Sequence, residues 1–501
     1  MPVNAAKSES ALTGAGVTVA LVDSGMLQDG GGSARIKTTR DFTGGSTNPA
    51  NVAPVDGYGH GTHIAGLIGG DKVEVKGVAP GVSFVSLRAL TSIGTGYTSH
   101  VIAAIQWAVA NKAEYGIDVL NLSLGHPIFE PAASDPLVQA VEAASRAGIV
   151  VVASAGNIGF NPGTQTVGYA GITSPGNAPS AITVGSARPQ DTITRTDDVA
   201  ADYSSRGPTW YDAYVKPDVV APGHHLLGAA AAGQFLYEQF PAFRGPAYGA
   251  RAYMYLSGSS MAAGVVTGTA ALMIEHARNQ FGVAPTANAL KAMLQHTAFT
   301  LTDGCGVAYD VLTQGAGAVN PGGAWGLAGA IDPRLPTGAS WLVSSVAPAT
   351  LVDGQTIAWG QQHRVGRQYR LGRQPPVPGQ RLQHRLGRQH RLGRLLHQLR
   401  GVRPAHRGSV LRGGDHEPGA WAGQRAVVEG QQDTPRQSLQ VEHHDGELQP
   451  RAARQPGTGP VEHLALARRA RRGPRVAPIR VRPGRQQRRS AVDDGVGRRA
   501  R

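Results

Sequence analysis

Short apolar runs alternate with stretches of helical periodicity along the first 330 residues of the chain. Continuous apolar runs that end in turn residues predict buried strands. Such runs occur at residues 17–22, 84–87, 119–125, 149–153, 181–185 and 217–223. Apolar spacing predicts helices over residues 101–110, 137–147, 265–274 and 290–296.

This alternation predicts an α/β fold, a three-layer sandwich in which helices flank a largely parallel central sheet. We expect one domain over residues 14–330, after an N-terminal extension of residues 1–13. A linker over residues 331–360 and a tail over residues 361–501 are expected to follow, because the composition changes abruptly at residue 361.

One serine lies at the start of the longest apolar helix. Small residues surround Ser260 within residues 256–268, so a substrate backbone can come close to its hydroxyl. The first turn of a helix leaves backbone N–H groups unpaired, and these favour negative charge on a nearby oxygen. By itself the stretch is more typical of an ordinary helix N-cap, and two further stretches change that balance.

Those two stretches contain an acid and a histidine. Asp23 follows the first predicted strand, at the carboxyl end where open α/β sheets place their sites, although alone it is more typical of a turn or cap. His60 lies between Gly59 and Gly61, which allow close approach to its ring. His60 and His63 have a spacing that metal ligands use, but no Glu follows His60 as the metalloprotease pattern requires.

Asp23, His60 and Ser260 are the three residue types that nucleophilic acyl transfer requires. Their order along the chain, acid then base then nucleophile, is the order in subtilisin. Three motifs surround them, Val-Asp-Ser-Gly, Gly-His-Gly-Thr-His-Ile-Ala-Gly and Ser-Gly-Ser-Ser-Met-Ala. In these motifs the chain closely resembles the subtilisin-like serine proteases (subtilases) over residues 14–330.

The resemblance implies a serine endopeptidase that cleaves proteins through an acyl-enzyme intermediate. It implies that Asp23 is the orienting acid, His60 the general base and Ser260 the nucleophile. It also implies that His63 is structural and that the amide of Asn157 donates to the oxyanion, whereas Asn157 considered alone is typical of a loop.

The resemblance further implies a set of substrate-binding residues: Ser123, Leu124, Gly125, Ala155, Gly156 and Gly168. Gly168 corresponds to the base of the primary specificity pocket, so we expect tolerance of a large apolar side chain before the cleaved bond. Residues 94–97 form either the opposite edge of the substrate site or a plain surface loop.

Two residues depart from the family pattern. Ser259 stands where threonine is usual and keeps a hydroxyl, and Gly264 stands where proline is usual. Glycine inside a helix costs about 1 kcal/mol relative to alanine, so we expect changed efficiency and retained activity. The inhibitory propeptide of secreted relatives is not recognisable, so this member either folds without one or starts further upstream. We expect no cofactor. The resemblance allows calcium, which is common in the family, but the sequence shows no recognisable set of calcium ligands.

Charge separates the tail from the rest of the chain. Residues 1–360 contain 18 Lys and Arg against 24 Asp and Glu, whereas residues 361–501 contain 30 Arg, no Lys and 10 acidic residues. The formal net charge of +14 therefore comes from the tail, and we expect no nucleic-acid partner. Cys305 is the single cysteine, which excludes an internal disulfide. We expect no membrane span and no signal peptide, and only the resemblance implies an extracellular location.

The tail is rich in Arg, Gln, Gly, His and Pro, and a six-residue repeat occurs in its first part, at residues 363–374 and again from residue 384. Its composition is typical of a basic arm for acidic surfaces, but a shifted reading frame explains more. One codon choice for residues 361–370 becomes Asn-Ser-Ile-Val-Trp-Gly-Asp-Ser-Ile-Val when its first base is omitted, which continues the Ile-Ala-Trp-Gly of residues 357–360. We therefore favour a one-base insertion near codon 361, and we expect a largely unfolded tail.

Three functions remain to be compared. The leading hypothesis is an endopeptidase acting on proteins or peptides, with oligomeric state undetermined. The second is a catalytically inactive subtilase fold that serves as a binding module. The third is a nucleic-acid binder acting through the tail, which the frame argument weakens.

Overall fold

The computed structural model describes residues 12–28, 35–336, 338–352 and 354–360, and the backbone of residues 425–427. Its strands are β1 (Thr18–Asp23), β2 (Ile36–Asp41), β3 (Ser83–Arg88), β4 (Thr95–Tyr97), β5 (Ile117–Leu122), β6 (Val150–Ser154), β7 (Phe160–Asn161), β8 (Thr166–Val167), β9 (Ile182–Arg188), β10 (Val199–Ala200), β11 (Val219–Pro222), β12 (Leu226–Ala230), β13 (Ala252–Leu256), β14 (Ala349–Val352), β15 (Gln355–Ala358) and β16 (Arg425–Val427). Its helices are α1 (His60–Gly69), α2 (Thr98–Ala110), α3 (Lys112–Tyr115), α4 (Pro136–Arg146), α5 (Phe235–Gln239), α6 (Ser259–Phe281), α7 (Ala287–Thr297), α8 (Val311–Gln314) and α9 (Pro321–Ala328), with a 3₁₀ helix at Pro241–Phe243.

One eight-stranded sheet forms the centre of the molecule. Its strands follow the order β10-β9-β6-β5-β1-β3-β2, and β11 pairs with β9. The pairings are parallel except that of β10 with β9. The strands predicted from apolar runs therefore form the largely parallel sheet that the sequence analysis expected.

Helices cover both faces of this sheet. Successive side chains of a strand point to opposite faces, and β1 shows the result. Val19 and Leu21 belong to the apolar core that includes α1 and α6. Ala20 and Val22 belong to the core that includes α2 and α4. The prediction of a three-layer sandwich is confirmed.

The long helix α6 is nearly buried throughout and extends beyond the predicted residues 265–274 at both ends. It begins at Ser259, so Ser260 lies in its first turn, as the apolar run predicted. It ends at Gly282, whose φ of 77° is the left-handed conformation that glycine adopts readily. Because α6 is buried on every side over most of its length, its sequence shows no polar face.

Part of the stretch expected to be a linker packs against the domain. Strands β14 and β15 form an antiparallel hairpin, and Trp359, which follows it, is 5% exposed within the core. The Trp359 indole N–H donates to Thr350 Oγ1 at 2.7 Å, and the Gly360 N–H donates to the Ala298 carbonyl at 2.9 Å. The domain limits 14–330 and 331–360 stay a prediction.

The expected unfolded tail can be compared with the structure at three residues only. Strand β16 pairs antiparallel with β4, with Arg425 opposite Tyr97 and Val427 opposite Thr95. The remainder of the predicted tail, its repeats included, lies outside the described residues. The edge of β4 is therefore one that accepts an extended chain.

Candidate active site

Adjacent strand ends bring the predicted site residues together. Strands β1, β5 and β6 are neighbours in the sheet, and their carboxyl ends lead to Asp23, Ser123 and Asn157. His60 begins α1, and Ser260 is the second residue of α6. Parallel strands end at one edge of a sheet, and that edge is where doubly wound folds place their sites.

A glycine after His60 allows α1 to reach the end of β1. A Cβ atom added at Gly61 would lie 2.0 Å from the Gly25 carbonyl oxygen and 3.2 Å from Asp23 Cβ. No larger residue fits there without moving the backbone, because real Cβ atoms do not approach backbone atoms so closely. The Gly-His-Gly spacing thus serves the contact between α1 and β1.

Asp23 and His60 form a buried pair. His60 Nδ1 lies 2.9 Å from Asp23 Oδ1 and 3.0 Å from Asp23 Oδ2, and both residues are completely buried. The Ser24 N–H also donates to Asp23 Oδ1, at 2.7 Å. A carboxylate can only accept, so Nδ1 bears the proton and Nε2 keeps its lone pair. Within the described part of the chain, that Nε2 atom is buried and has no hydrogen-bond partner.

Ser260 lies at the same edge, with its hydroxyl turned to another acceptor. Its O–H donates to the Ser123 carbonyl at 3.2 Å, and the Ser123 hydroxyl donates back to the Ser260 carbonyl at 3.0 Å. Among the described residues no hydrogen bond joins Ser260 to His60. The structure therefore joins Asp23 to His60 directly, whereas the Ser260 hydroxyl is bonded to the Ser123 carbonyl.

The loop after β6 is fastened to the start of α6. Asn157 Oδ1 accepts the Ser259 N–H at 2.8 Å, and Ser259 Oγ accepts the Gly156 N–H at 3.1 Å. The first contact fixes which way the Asn157 amide faces, because its oxygen is already committed. The second shows what the hydroxyl at position 259 does, whether serine or threonine supplies it.

The residues expected to bind substrate differ in their surroundings. Ser123, Leu124, Gly125, Ala155 and Gly156 are all buried. A Cβ atom at Gly125 would lie 2.7 Å from Thr173 Oγ1, so the strand passes close to that segment, whereas a Cβ atom at Gly168 would meet nothing within 4 Å. Gly168 therefore borders open space.

His63 takes no part in the Asp23–His60 pair. Its Nε2 lies 3.1 Å from the Leu226 carbonyl oxygen and 3.2 Å from that of Met254, which ties α1 to β12 and β13. Burial and the neighbouring His60 lower the pKa of His63 to about 3, against the opposing effect of the two carbonyls. Across the described residues there is no group of three or more His, Cys, Asp or Glu placed to hold a metal ion.

The structure adds polar residues that the sequence analysis did not select. Thr267 donates to Asn121 Oδ1 at 2.8 Å, and the Asn121 amide donates to Ser123 Oγ at 2.9 Å, so a buried chain of hydrogen bonds reaches Ser260. Asp56 is linked to Asp23 through the Ser24 hydroxyl, which contacts both carboxylates. An asparagine inside the apolar strand β5 was the available signal, because buried polar groups need partners.

Gly264 lies on the face of α6 that contacts α1. A Cβ atom there would lie 3.5 Å from Ile64 Cγ2 and 3.7 Å from Leu67 Cβ, which are ordinary van der Waals distances. The position therefore accepts alanine.

Comparison with known proteins agrees with this architecture. A family model described as "Subtilase family" matches residues 14–320. Serine protease AprX of Bacillus subtilis is 34% identical over 273 residues, which cover 53% of this chain and 58% of that protein. Subtilisin E of the same species is 34% identical over 264 residues, 52% of this chain and 56% of that protein. The chain thus spans little more than half the length of these curated relatives.

A solved structure shares the fold at lower sequence identity. Sphericase aligns with a TM-score of 0.50 at 26% identity, and the alignment covers 63% of this chain and 94% of that structure. None of the described helices is long and apolar enough to cross a membrane.

Proposed function

Because the chain belongs to the subtilase family, we propose that it is a serine endopeptidase that hydrolyses peptide bonds in proteins. The buried Asp23–His60 pair supports this most directly, since it leaves His60 Nε2 without a hydrogen-bond partner at the edge of the sheet where Ser260 lies in the first turn of α6. A histidine held in this tautomer by a carboxylate is the general base of serine proteases.

In the proposed reaction the Ser260 hydroxyl leaves the Ser123 carbonyl and turns to His60 Nε2. His60 accepts the proton while Oγ attacks the substrate carbonyl carbon, and Asp23 stabilises the imidazolium. The imidazolium then protonates the leaving amine, and an acyl-enzyme remains on Ser260. His60 next removes a proton from water as the water attacks the acyl carbon. The imidazolium then returns a proton to Ser260 Oγ as the acyl–oxygen bond breaks, which releases the second product and restores the serine.

We propose that the oxyanion of each tetrahedral intermediate is stabilised by the Asn157 amide and the Ser260 N–H. The contact between Asn157 Oδ1 and the Ser259 N–H supports this role, because it directs the amide nitrogen away from that bond. Donors fixed before reaction cost no reorganisation as charge develops. The reaction as proposed uses protein groups alone and needs no cofactor.

Substrate binding is proposed for the strand end at Ser123, Leu124 and Gly125, the loop at Ala155 and Gly156, and the pocket bordered by Gly168. Open space at Gly168 supports a preference for a large apolar side chain before the cleaved bond. The pairing of β4 with β16 supports residues 94–97 as a second edge for an extended substrate. By family resemblance we propose an extracellular location.

Hydrolysis of denatured casein by the purified full-length chain tests the proposal. The parent is expected to release peptides. The Ser260→Ala and His60→Ala variants are expected to hydrolyse casein at least 1,000-fold more slowly. Peptides with Phe before the cleaved bond should be better substrates than those with Ala. A folded parent that cleaves no protein or peptide would instead favour a catalytically inactive binding module.

A further inference from the structure

Asp56 is a buried carboxylate that the proposed reaction does not use. The residue is 2% exposed. Its Oδ1 accepts the Tyr58 N–H at 3.1 Å, the Gly59 N–H at 2.8 Å and the Ser24 hydroxyl at 2.9 Å. Its Oδ2 accepts the Thr62 N–H at 2.8 Å and the Thr62 hydroxyl at 2.7 Å. Each of these donors is uncharged, so no cation balances the carboxylate among them.

The two oxygens of Asp56 hold two different elements of the site. Ser24 directly follows Asp23 at the end of β1, whereas Thr62 lies in the first turn of α1, which begins at His60. One carboxylate therefore joins the strand end that carries the acid to the helix turn that carries the base. Its position sets the separation across which Asp23 and His60 meet.

The Ser24 hydroxyl lies between two carboxylates. Its Oγ is 2.9 Å from Asp56 Oδ1 and 3.2 Å from Asp23 Oδ1, and it accepts the Gly61 N–H at 3.0 Å. The hydroxyl has one proton to share between the two acids. The bridge therefore fixes Asp23 Oδ1, the atom that also receives His60 Nδ1–H.

Electrostatics and hydrogen bonding act on Asp56 in opposite directions. Burial raises the pKa of Asp56, the hydrogen bonds from Gly59 and Thr62 oppose that rise, and the charge of Asp23 adds to it. Five donors point at its oxygens, an arrangement that fits an ionised carboxylate, because a carboxylic acid would turn a proton against one of them. The other titratable group that faces Asp56 is Tyr58. Burial and the charges of Asp23 and Asp56 raise the pKa of Tyr58 to about 12.

A neutral side chain closes the far side of this cluster. Gln234, which precedes α5 and is 2% exposed, donates to the Asp56 carbonyl at 3.2 Å and to Thr62 Oγ1 at 3.1 Å. The described side chain on that side is neutral, so the negative charge of Asp56 is left to act on the neighbouring acid and, through it, on the histidine.

We propose that Asp56 is a positioning residue for the Asp23–His60 pair, acting through Ser24 on the acid and through Thr62 on the helix turn of the base. Its negative charge adds to that of Asp23 when His60 becomes an imidazolium. This inference rests on the proposed function. It assigns no contact with substrate to Asp56, so it concerns the chemical step and not substrate binding.

The pH dependence of peptide p-nitroanilide hydrolysis by the full-length chain tests this inference. Removal of a nearby negative charge makes an imidazolium less favourable. In Asp56→Asn the acid limb of the kcat/KM profile is therefore expected to move to lower pH by about one unit, with kcat lowered about tenfold and KM unchanged. Asp118→Asn removes the same charge at the amino end of β5 and is expected to leave the limb in place.

A second pair of variants separates the bridge from the charge. Ser24→Ala keeps both carboxylates and is expected to lower kcat several-fold with a smaller movement of the acid limb, and Ser24→Thr is expected to restore kcat. If Asp56→Asn does not fold, these two variants decide the matter. Unchanged kcat and pH profile in folded Asp56→Asn, or in folded Ser24→Ala, would overturn the inference. An inactive parent would contradict the proposed function instead.

Discussion

Asp56 and Asp218 are both almost fully buried, yet the chain balances their charges in different ways. Asp218 Oδ2 lies 2.7 Å from Lys216 Nζ, and Asp218 Oδ1 lies 2.9 Å from Lys291 Nζ. The two ammonium groups also donate to the Ala181 carbonyl, at 3.0 and 2.9 Å. Asp56, by contrast, receives its hydrogen bonds from neutral donors beside a second carboxylate.

The pKa directions of the two groups follow this difference. Burial acts to raise the pKa of Asp218, but Lys216 and Lys291 outweigh it and hold that pKa below its ordinary value. Burial raises the pKa of Asp56, and Asp23 adds to the rise. A balanced centre such as Asp218 fastens β11 and α7 together. Asp56 has only neutral hydrogen-bond donors around it, so its negative charge acts on the neighbouring base.

Loss of the balanced centre is expected to have the largest effect. Asp218→Ala leaves two ammonium groups buried without their carboxylate, and breaking a buried pair in this way costs about 3–5 kcal/mol of unfolding free energy. Urea unfolding measures the loss, with Asp71→Ala as the control, because Asp71 pairs with Lys72 at the surface and exposed pairs contribute about 0–1 kcal/mol. Equal losses of unfolding free energy in the two variants would contradict the account of Asp218 as a buried carboxylate balanced by two lysines.

Loss of the proposed oxyanion donor is expected to lower kcat strongly, whereas its cost in unfolding free energy is limited to the hydrogen bond between Asn157 Oδ1 and the Ser259 N–H. Asn157→Ala removes the proposed oxyanion donor, and kcat is expected to fall about 100- to 1,000-fold, a range established on a subtilisin. KM should change little, since the donor acts on the transition state. Steady-state kinetics and urea unfolding of the same preparation separate the two effects. A fall in kcat below tenfold in the folded variant would contradict the role.

His63 is a third buried titratable residue, and its surroundings keep it neutral. Its pKa of about 3 lies below the ordinary 6.5, so between these values the unfolded chain binds more protons. Stability due to His63 is complete above about pH 6.5 and falls by about 1.4 kcal/mol for each pH unit below it. The difference in unfolding free energy between the parent and His63→Gln isolates this slope. Parallel curves from pH 6.5 to pH 4 would refute it.

The smallest effect is expected at Gly264, where no charge is involved. Gly264→Ala adds a methyl group at ordinary contact distance from Ile64 and Leu67 and reduces the freedom of the unfolded chain. The unfolding free energy is expected to rise by up to about 1 kcal/mol, with kcat unchanged. Thermal unfolding of the two proteins measures it, and destabilisation would mean that α1 and α6 pack too tightly for the methyl group.

Six strands of the sheet could be predicted from the sequence because they are continuous apolar runs, as in β1, where every residue is buried. Strands β2 and β10 were not predicted, because β2 is largely polar and β10 has only two residues. Helix α1 was harder to predict. Glycines and histidines interrupt its apolar spacing, and tertiary contacts such as that of Gly61 with Gly25 decide its position. The hairpin β14–β15 and its buried Trp359 were also missed, since burial there depends on α7 and α9 and not on local pattern.

The motifs were enough to select Asp23, His60 and Ser260 from the sequence, but they could not predict the hydrogen bonds that these residues make. No local pattern indicates that the Ser260 hydroxyl faces the Ser123 carbonyl. Asp56 was likewise passed over, because an acid shortly before a helix is typical of an ordinary cap. Its contact with Ser24 joins positions 32 residues apart, and only the fold brings them together.

Fluorophosphonate labelling of the full-length chain, with mass spectrometry to locate the adduct, tests most directly whether His60 and Asp23 activate Ser260. We expect a single adduct on Ser260 in the parent, none in Ser260→Ala, and a labelling rate lowered at least 1,000-fold in His60→Ala. A folded parent that takes up no probe, or an adduct on any other residue, would contradict the account.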